Sequence, residues 1–581
     1  MADKAYSVSD SVRWCVRPRQ PDVERELSEA TGISRVTAAL LAGRGITSPK
    51  QVEAYFSPSS SQLHDPADLP DIGVAVALVN EAIDQRQTVL VHGDYDVDGL
   101  TATALLVRFL SKLGCNVQHF IPHRIHDHYG LNTGAVERAI NEGASLVIAV
   151  DCGVRDHEAV ERACEMGAAV IVLDHHEPGE ELPPADAIVD PKVAHSTYAN
   201  RELASAGLAL QLARAVAKAR DIDVAFVERA FLDLAALGTI ADVAPLIGEN
   251  RALAAMGLER LAKTKKTGLR TLMNLCKVNG AVKASDVGFR LAPRMNAAGR
   301  LADPGPALDL LLTADQDEAN RTSMYLDGVN RQRQQEQQSI YDDVRLMIER
   351  DVELDDTPVI VLASDRWHVG VVGIAASKVV SMYGRPAILM VGDGGVYRGS
   401  GRSIPEFNLA AGLDRCADVL ERHGGHAMAV GAQVKRENLE LLRERLCAVA
   451  NETLDIMSLE ASIEIDAEVQ LSEVTHQLTE EMATMDPFGN GNPEPSLAVK
   501  GARVADKMLV GRDGTHLKLW VTDETHTYEC IGFGMSRDYQ WLRDSERVDL
   551  CFSPEINEYQ GSRTLQLRLK ALRPAEGGPS A

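Results

Sequence analysis

Three apolar, β-branched runs, each ending in a cluster of acids or imidazoles, constrain this chain more than any other feature. TVLV precedes HGDYDVDG (His92 to Gly99), SLVIAV precedes DCG (Asp151 to Gly153), and AVIVL precedes DHH (Asp174, His175, His176). Such runs, separated by helical patterns, read as buried parallel strands. In an open α/β sheet the ligand lies beyond the carboxyl ends of the strands, where these polar clusters fall. Carboxylates and imidazoles gathered there are an electrostatic liability without cations to neutralise them. Hard oxygen donors mixed with imidazole suit Mn²⁺ or Mg²⁺ better than the thiolate-rich sets that favour zinc. The pattern points to two-metal phosphoester chemistry.

The 581 residues leave room for three or four domains, and a formal charge of −24 excludes a surface that attracts nucleic acid everywhere. Any DNA contact must use a local basic track. The nine cysteines form no CxxC pair, which argues against a zinc ribbon or a disulfide framework. Cys152, inside DCG, reads as a small buried residue at a strand end rather than a nucleophile. The opening MADKAYSVSD has no apolar core segment, and no apolar run reaches the length of a membrane span, so a cytoplasmic protein with no membrane partner is expected.

Residues 1–70 form a Pro-containing lead-in with a helical stretch near SRVTAALLAG. Over 71–315 strands and helices alternate, predicting a doubly wound parallel sheet with right-handed crossovers. Residues 316–352 are polar, Gln- and Arg-rich and free of proline, with a thin apolar stripe (Leu326, Val329, Ile340, Val344, Met347), as in a long helix joining two domains. PVIVLAS then opens a second α/β unit over 353–457. Residues 458–575 carry five short β-rich runs after the loop MDPFGNGNPEPS, which predicts an all-β OB-fold, followed by a tail at 576–581.

In HGDYDVDG, His92, Asp96 and Asp98 occupy alternate positions of a loop that turns back over a strand end, where such positions can converge on one site. Taken alone the string is equally an acidic turn, and Asp151 alone is a helix N-cap. Their joint occurrence at successive strand ends favours ligands. Asp242, in LGTIADVAPL, adds a carboxylate between apolar segments, where an unpaired charge is costly.

These strings resemble those of the DHH phosphoesterase superfamily. With RMNAAGR, WHVGVVGIAAS, GSGRS, GGHAMAVG and FGNGNPEP in the same order, the chain resembles the bacterial single-strand exonucleases of that superfamily over residues 70–575. Val430 stands where alanine is usual. The resemblance implies two divalent cations, Mn²⁺ or Mg²⁺. His92, Asp96 and Asp151 would hold one, and Asp98, Asp151, His175 and Asp242 the other, with Asp151 bridging. It assigns His176 to the substrate side, stabilising phosphate or protonating the leaving oxygen, and Asp174 to orienting a ligating histidine. The second α/β unit becomes a DHHA1 domain that holds substrate.

Candidate substrate contacts follow. Arg402 and Ser403 in GSGRS, and Gly424, Gly425 and His426 in GGHAMAVG, offer donors to phosphate oxygens. Arg294 and Arg300 read equally as phosphate contacts or as a solvated helix face. Trp367, beside His368, reads equally as a base-stacking platform or a core anchor. In the β-rich tail, Trp520, Tyr528 and Phe533 alternate with Arg503, Lys507, Arg512 and Lys518, as on single-strand platforms, although some of these aromatics must fill the barrel. The resemblance implies a metal-dependent 5′→3′ exonuclease of single-stranded DNA, active in repair and recombination. It would release 5′-mononucleotides, act as a monomer, and work with a single-strand-binding protein and a helicase. A phosphodiesterase of short oligonucleotides or cyclic dinucleotides would lack the long helix and the OB-fold. A non-catalytic DNA-binding scaffold would have lost its ligands.

Overall fold

The protein is described by a computed structural model covering residues 12–575 except 125, 128, 455–460, 543–545 and 560–561; the expected tail at 576–581 and the 457/458 boundary lie outside the described residues. The chain forms two compact units, Leu63–Leu459 and a second made from both ends of the chain, Met1–Gln62 with Glu460–Ala581.

The larger unit opens with the expected parallel sheet. Strands β1 (Thr88–His92), β2 (Asn116–Phe120), β3 (Ala144–Val150), β4 (Ala169–Leu173) and β5 (Ala187–Val189) lie in the order β2-β1-β3-β4-β5, all parallel. Both faces are covered, which is why the strands read as continuous apolar runs. Val89, Val91, Ile148 and Leu173 enter one core, while Leu90, Val147, Ala149 and Val172 enter another on the opposite face. Helices α1 (Val97–Lys112), α2 (Ser205–Ala219) and α3 (Val224–Ala241) pack together over the first of these faces.

Helix α4 (Ala292–Leu301) carries RMNAAGR, and the predicted connector is helix α5 (Gln316–Asp351). Its 36 residues span about 54 Å, and Asp315 caps it by accepting the Glu318 N–H. The second α/β module follows: helix α6 (Val369–Tyr383) lies on a mixed five-stranded sheet in which Ile360–Ser364 and Ala387–Asp393 are parallel and the other three strands antiparallel. Its outer edge is Leu420–His426, the strand containing GGH.

The smaller unit is a closed five-stranded barrel of OB type, formed by Leu497–Val510, His516–Thr522, Thr527–Gly532, Arg547–Tyr559 and Ser562–Pro574. The N-terminal segment is built into this unit. Val12–Val16 pairs in parallel with Ala461–Ile465, and Leu27, Val36, Leu40, Leu41, Val52 and Tyr55 from three N-terminal helices share one core with Leu497, Leu519, Leu550 and Phe552. The FGNGNPEP loop is part of that joint, because Arg44 donates to the Asn492 side chain and the Pro493 carbonyl while Tyr55 donates to Asn492. Among the described residues no helix is long and apolar enough to cross a membrane.

Candidate metal centre

Three adjacent strands deliver the acidic strings to one edge of the parallel sheet. The loop after β1 carries Asp94, Asp96 and Asp98; Asp151 follows β3 directly, and Asp174 follows β4. Asp242 arrives from the side as the residue after α3. Ligand atoms of Asp94, Asp96 and Asp151 lie within 4.8 Å of one another, as do those of Asp98, His175 and Asp242, and those of Asp151, His175 and His176. His175 Nε2 is 3.3 Å from Asp151 and 3.9 Å from Asp98, and its Nδ1 is 4.0 Å from Asp242. Asp151 therefore stands between two groups of donors.

The surrounding helices hold these carboxylates in place. Asp98 accepts the Ser205 and Ala206 N–H groups at 2.7 and 2.9 Å, at the amino end of α2, where unpaired amides favour a negative charge. Ser205 Oγ donates to Asp151 at 2.9 Å. Gly238 lets α3 come this close: a Cβ there would lie 2.5 Å from Asp98 Oδ1 and 2.4 Å from Thr101 Oγ1.

Electrostatically, the bare cluster is unfavourable. Burial, then repulsion from neighbouring carboxylates, drives Asp94, Asp98 and Asp151 well above the usual carboxylate range, and the same causes push Asp242 up to about 7. Burial and the neighbouring His176 depress His175 to about 3, leaving it a neutral donor. Asp94 Oδ1 is buried with no hydrogen-bond partner among the described residues. Converging oxygens, neutral imidazole and an orphaned carboxylate oxygen fit a pair of hard divalent cations.

His176 is differently placed. Its Nδ1 lies 2.8 Å from Asp174 Oδ1 and 3.0 Å from the Tyr129 hydroxyl, so both contacts fall on one ring nitrogen. Burial opposes its charge, but the Asp174 carboxylate outweighs burial and raises the imidazole to about 9. Asp174, although buried, is held down to about 2 by the His176 hydrogen bond and charge, and it also accepts the N–H groups of Val154, His175 and His176. The histidine that Asp174 orients through its side chain is thus His176, not His175.

One expected ligand stands apart. His92 is the last residue of β1, and the pleat turns it to the same face as Leu90, away from the acids. Its Nε2 accepts the Asn132 N–H at 3.0 Å and its Nδ1 lies 3.8 Å from Cys152 Sγ, itself fully buried. Asp94, two residues on, joins the donor group instead. Spacing does not separate the two, since His92, Asp94, Asp96 and Asp98 all fall on one alternation.

Several proposed substrate contacts turn out to be structural. Arg294 is committed to Asp327 at 2.9 Å and to the Arg290 carbonyl. Trp367 is 4% exposed, packs with Ile340, Val344 and Val371, and donates to Asp343, so it is the core anchor. His368 caps α6 by accepting the Gly370 N–H, and buried Ser403 donates to the Phe407 carbonyl. Gly424, Gly425 and His426 are exposed along the sheet edge.

Arg300 and Arg402 instead belong to a cluster that the sequence did not reveal. Burial and the charges of Arg124 and Arg333 push Arg300 down to about 10, while burial and Arg124 lower Arg402. Arg124 lies over the Tyr95 ring, within the metal-loop string, at 5.1 Å. Arg333 is hydrogen-bonded to Asn330 and Gln337, and among the described residues none of the four arginines has a carboxylate at ion-pair distance. Guanidinium groups gathered without carboxylates beside an acidic centre are complementary to phosphate.

In the barrel, Tyr528 donates to the Val474 carbonyl, and Lys518 pairs with Glu529 beneath Trp520. Phe533 is 53% exposed and edge-on to His516.

The chain matches three family profiles: the DHH family N-terminal domain over residues 88–239, the DHHA1 domain over 356–452 and the RecJ OB domain over 465–571. It is 36% identical to the single-stranded-DNA-specific exonuclease RecJ of Bacillus subtilis, over 97% of this chain and 71% of that one. Identity to the Dickeya dadantii protein of the same name is 34%, over 96% of this chain and 98% of that one. The crystal structure of RecJ in complex with Mn²⁺ from Thermus thermophilus superposes with a TM-score of 0.83 at 30% identity, covering 97% of this chain and 80% of that one. A Mg²⁺ complex of RecJ from the same organism superposes with a TM-score of 0.78 at 29% identity, covering 97% and 79%.

Proposed function

Because the chain belongs to the RecJ family of single-stranded-DNA-specific exonucleases, it is a metal-dependent exonuclease of single-stranded DNA, and we propose that it degrades the strand from the 5′ end to mononucleotides. The observation that supports this chemistry best is the pair of donor groups sharing Asp151. In this reading Asp94, Asp96 and Asp151 would hold one cation, and Asp98, Asp151, His175 and Asp242 would hold the other. Bound there, two such cations supply Lewis acidity, lowering the pKa of a water and offsetting charge on the phosphate oxygens. His176, charged and oriented by Asp174, donates through Nε2 to a non-bridging or leaving oxygen. Arg124, Arg300, Arg333 and Arg402 bind the phosphodiester and align it with the acids, and the glycine-rich edge Leu420–His426 adds backbone donors. A small-substrate phosphodiesterase is not favoured, since the chain retains both the long helix and the OB barrel.

Cytoplasmic location, a role in DNA repair and recombination, a monomeric state, and work alongside a helicase and a single-strand-binding protein complete the proposal. The direct test is a 5′-end-labelled single strand incubated with Mn²⁺, Mg²⁺ or chelator. Labelled mononucleotide as the first product supports the reading. Shortening that leaves the label on long strands refutes the polarity.

Metal binding should also be visible in stability. The raised carboxyl groups must lose protons to bind a cation, so binding releases protons. At about a hundred times its dissociation constant, Mn²⁺ should stabilise the fold by about 2.7 kcal/mol at neutral pH. That gain should shrink as pH falls, because protons compete for the same oxygens. Thermal melts in Mn²⁺ and in chelator at several pH values measure it.

The barrel's part in strand capture is best tested by Phe533→Ala. Removing residues from 460 onward would strip the N-terminal helices of their core. Loss of one stacked base should weaken binding to a long strand by about 1–3 kcal/mol while leaving cleavage of very short oligonucleotides unchanged. Fluorescence anisotropy at fixed salt provides the measurement.

A further inference from the structure

Helix α4 touches the metal loop, the long helix and the second α/β module at once. Arg294 ties it to Asp327 on α5. Its Arg300 carbonyl abuts the first turn of α6, where a Cβ on Gly370 would come within 2.2 Å. Gly299 lets it lie against the loop, since a Cβ there would be 2.8 Å from the Tyr95 carbonyl. Between these contacts Asn296 Oδ1 accepts the N–H of Val97, at 3.0 Å.

Val97 sits between Asp96 and Asp98 and is 1% exposed. It is the first residue of α1, so its N–H has no acceptor within the helix. Asp96 Oδ1 already takes the next two amides, those of Asp98 and Gly99, at 2.9 and 3.2 Å. Without Asn296, the side chain of the adjoining Asp96, already an acceptor for the next two amides, is available to the Val97 amide. An aspartate can accept the N–H of the residue that follows it, as Asp174 does from His175 at 2.8 Å. That rotation would draw the Asp96 carboxylate away from Asp94 and Asp151.

We propose that Asn296 is a positioning residue of the metal centre: by holding the Val97 N–H it keeps Asp96 turned to one cation while Asp98 faces the other. This rests on the two-metal reading above. Residues one contact removed from a ligand typically change metal affinity 10–100-fold. Full-length Asn296→Ala, titrated from chelator-treated protein, should therefore bind one of two Mn²⁺ ions at least about tenfold more weakly, by calorimetry and by the Mn²⁺-dependent rise in melting temperature. Asn296→Asp keeps the acceptor oxygen and should restore tight binding. Arg294→Ala, on the same helix, should lower the melting temperature and leave both Mn²⁺ affinities in place. If Asn296→Ala does not fold, Asn296→Ser, too short to reach the Val97 amide, should show the same loss. Wild-type affinities in folded Asn296→Ala or Asn296→Ser, or equal weakening in Arg294→Ala, would overturn the proposal. Failure of the unaltered protein to bind two Mn²⁺ ions would overturn the two-metal reading instead.

Discussion

Asp151→Asn should abolish hydrolysis while leaving a folded protein that still binds single-stranded DNA. Among the described residues Asp151 is the one carboxylate grouped both with Asp94 and Asp96 and with His175. Replacing it weakens both cation sites at once, and transition-state charge stabilisation of several kcal/mol is lost. The expected fall in turnover is on the order of a thousandfold or more. Asparagine is the informative substitution because residue 151 has φ of +66°, a conformation asparagine tolerates better than alanine. The stability effect should run the other way in chelator. A buried acid whose folded pKa is raised binds a proton more tightly in the folded state than in the unfolded state. Its ionisation therefore costs stability once the pH exceeds the unfolded pKa. The neutral variant escapes that cost and should melt at or above the temperature of the metal-free parent. Near-normal turnover in well-purified Asp151→Asn would exclude the bridging role.

His176→Ala should slow the chemical step by about 10²–10⁴-fold while keeping its metal content. The distinction follows from the ring's two nitrogens: Nδ1 is engaged by Asp174 and Tyr129, and the side chain remains 43% exposed. His175 is almost buried among Asp98, Asp151 and Asp242, so His175→Ala should lose metal as well as rate. Elemental analysis of the two variants, alongside single-turnover kinetics, separates the roles. Equal metal loss in both would place His176 among the ligands.

The metal loop shows how far the chain could be read without its fold. Asp96, Asp98, Asp151 and His175, in strings that follow strands, and Asp242, between apolar segments, could be singled out as candidates because unpaired carboxylates there are costly. The choice between His92 and Asp94 could not be made that way. It depends on which residue is last in the pleat of β1, and so on the register of β1 against β2 and β3. The candidate phosphate contacts divide similarly. Arg294, Trp367, His368 and Ser403 are of types that often bind nucleic acid, yet each is committed to a structural partner. Arg124 and Arg333 carry no local mark, and they matter because folding brings a strand-end loop and the long helix to Arg300 and Arg402.

Residue order alone carries the part governed by local periodicity and by the cost of burying charge. That part comprises the doubly wound sheet, the long polar helix, the second α/β module, the terminal β barrel and the acidic strand ends. The union of the N-terminal helices with the barrel, the arginine cluster and the place of Asn296 come from the folded arrangement. Each of these is a contact between segments distant in the chain, as where Arg44 meets Asn492. A side chain's type and neighbours in sequence carry no information about such a partner. Only close packing, which assigns each buried polar group an acceptor or leaves it without one, selects it.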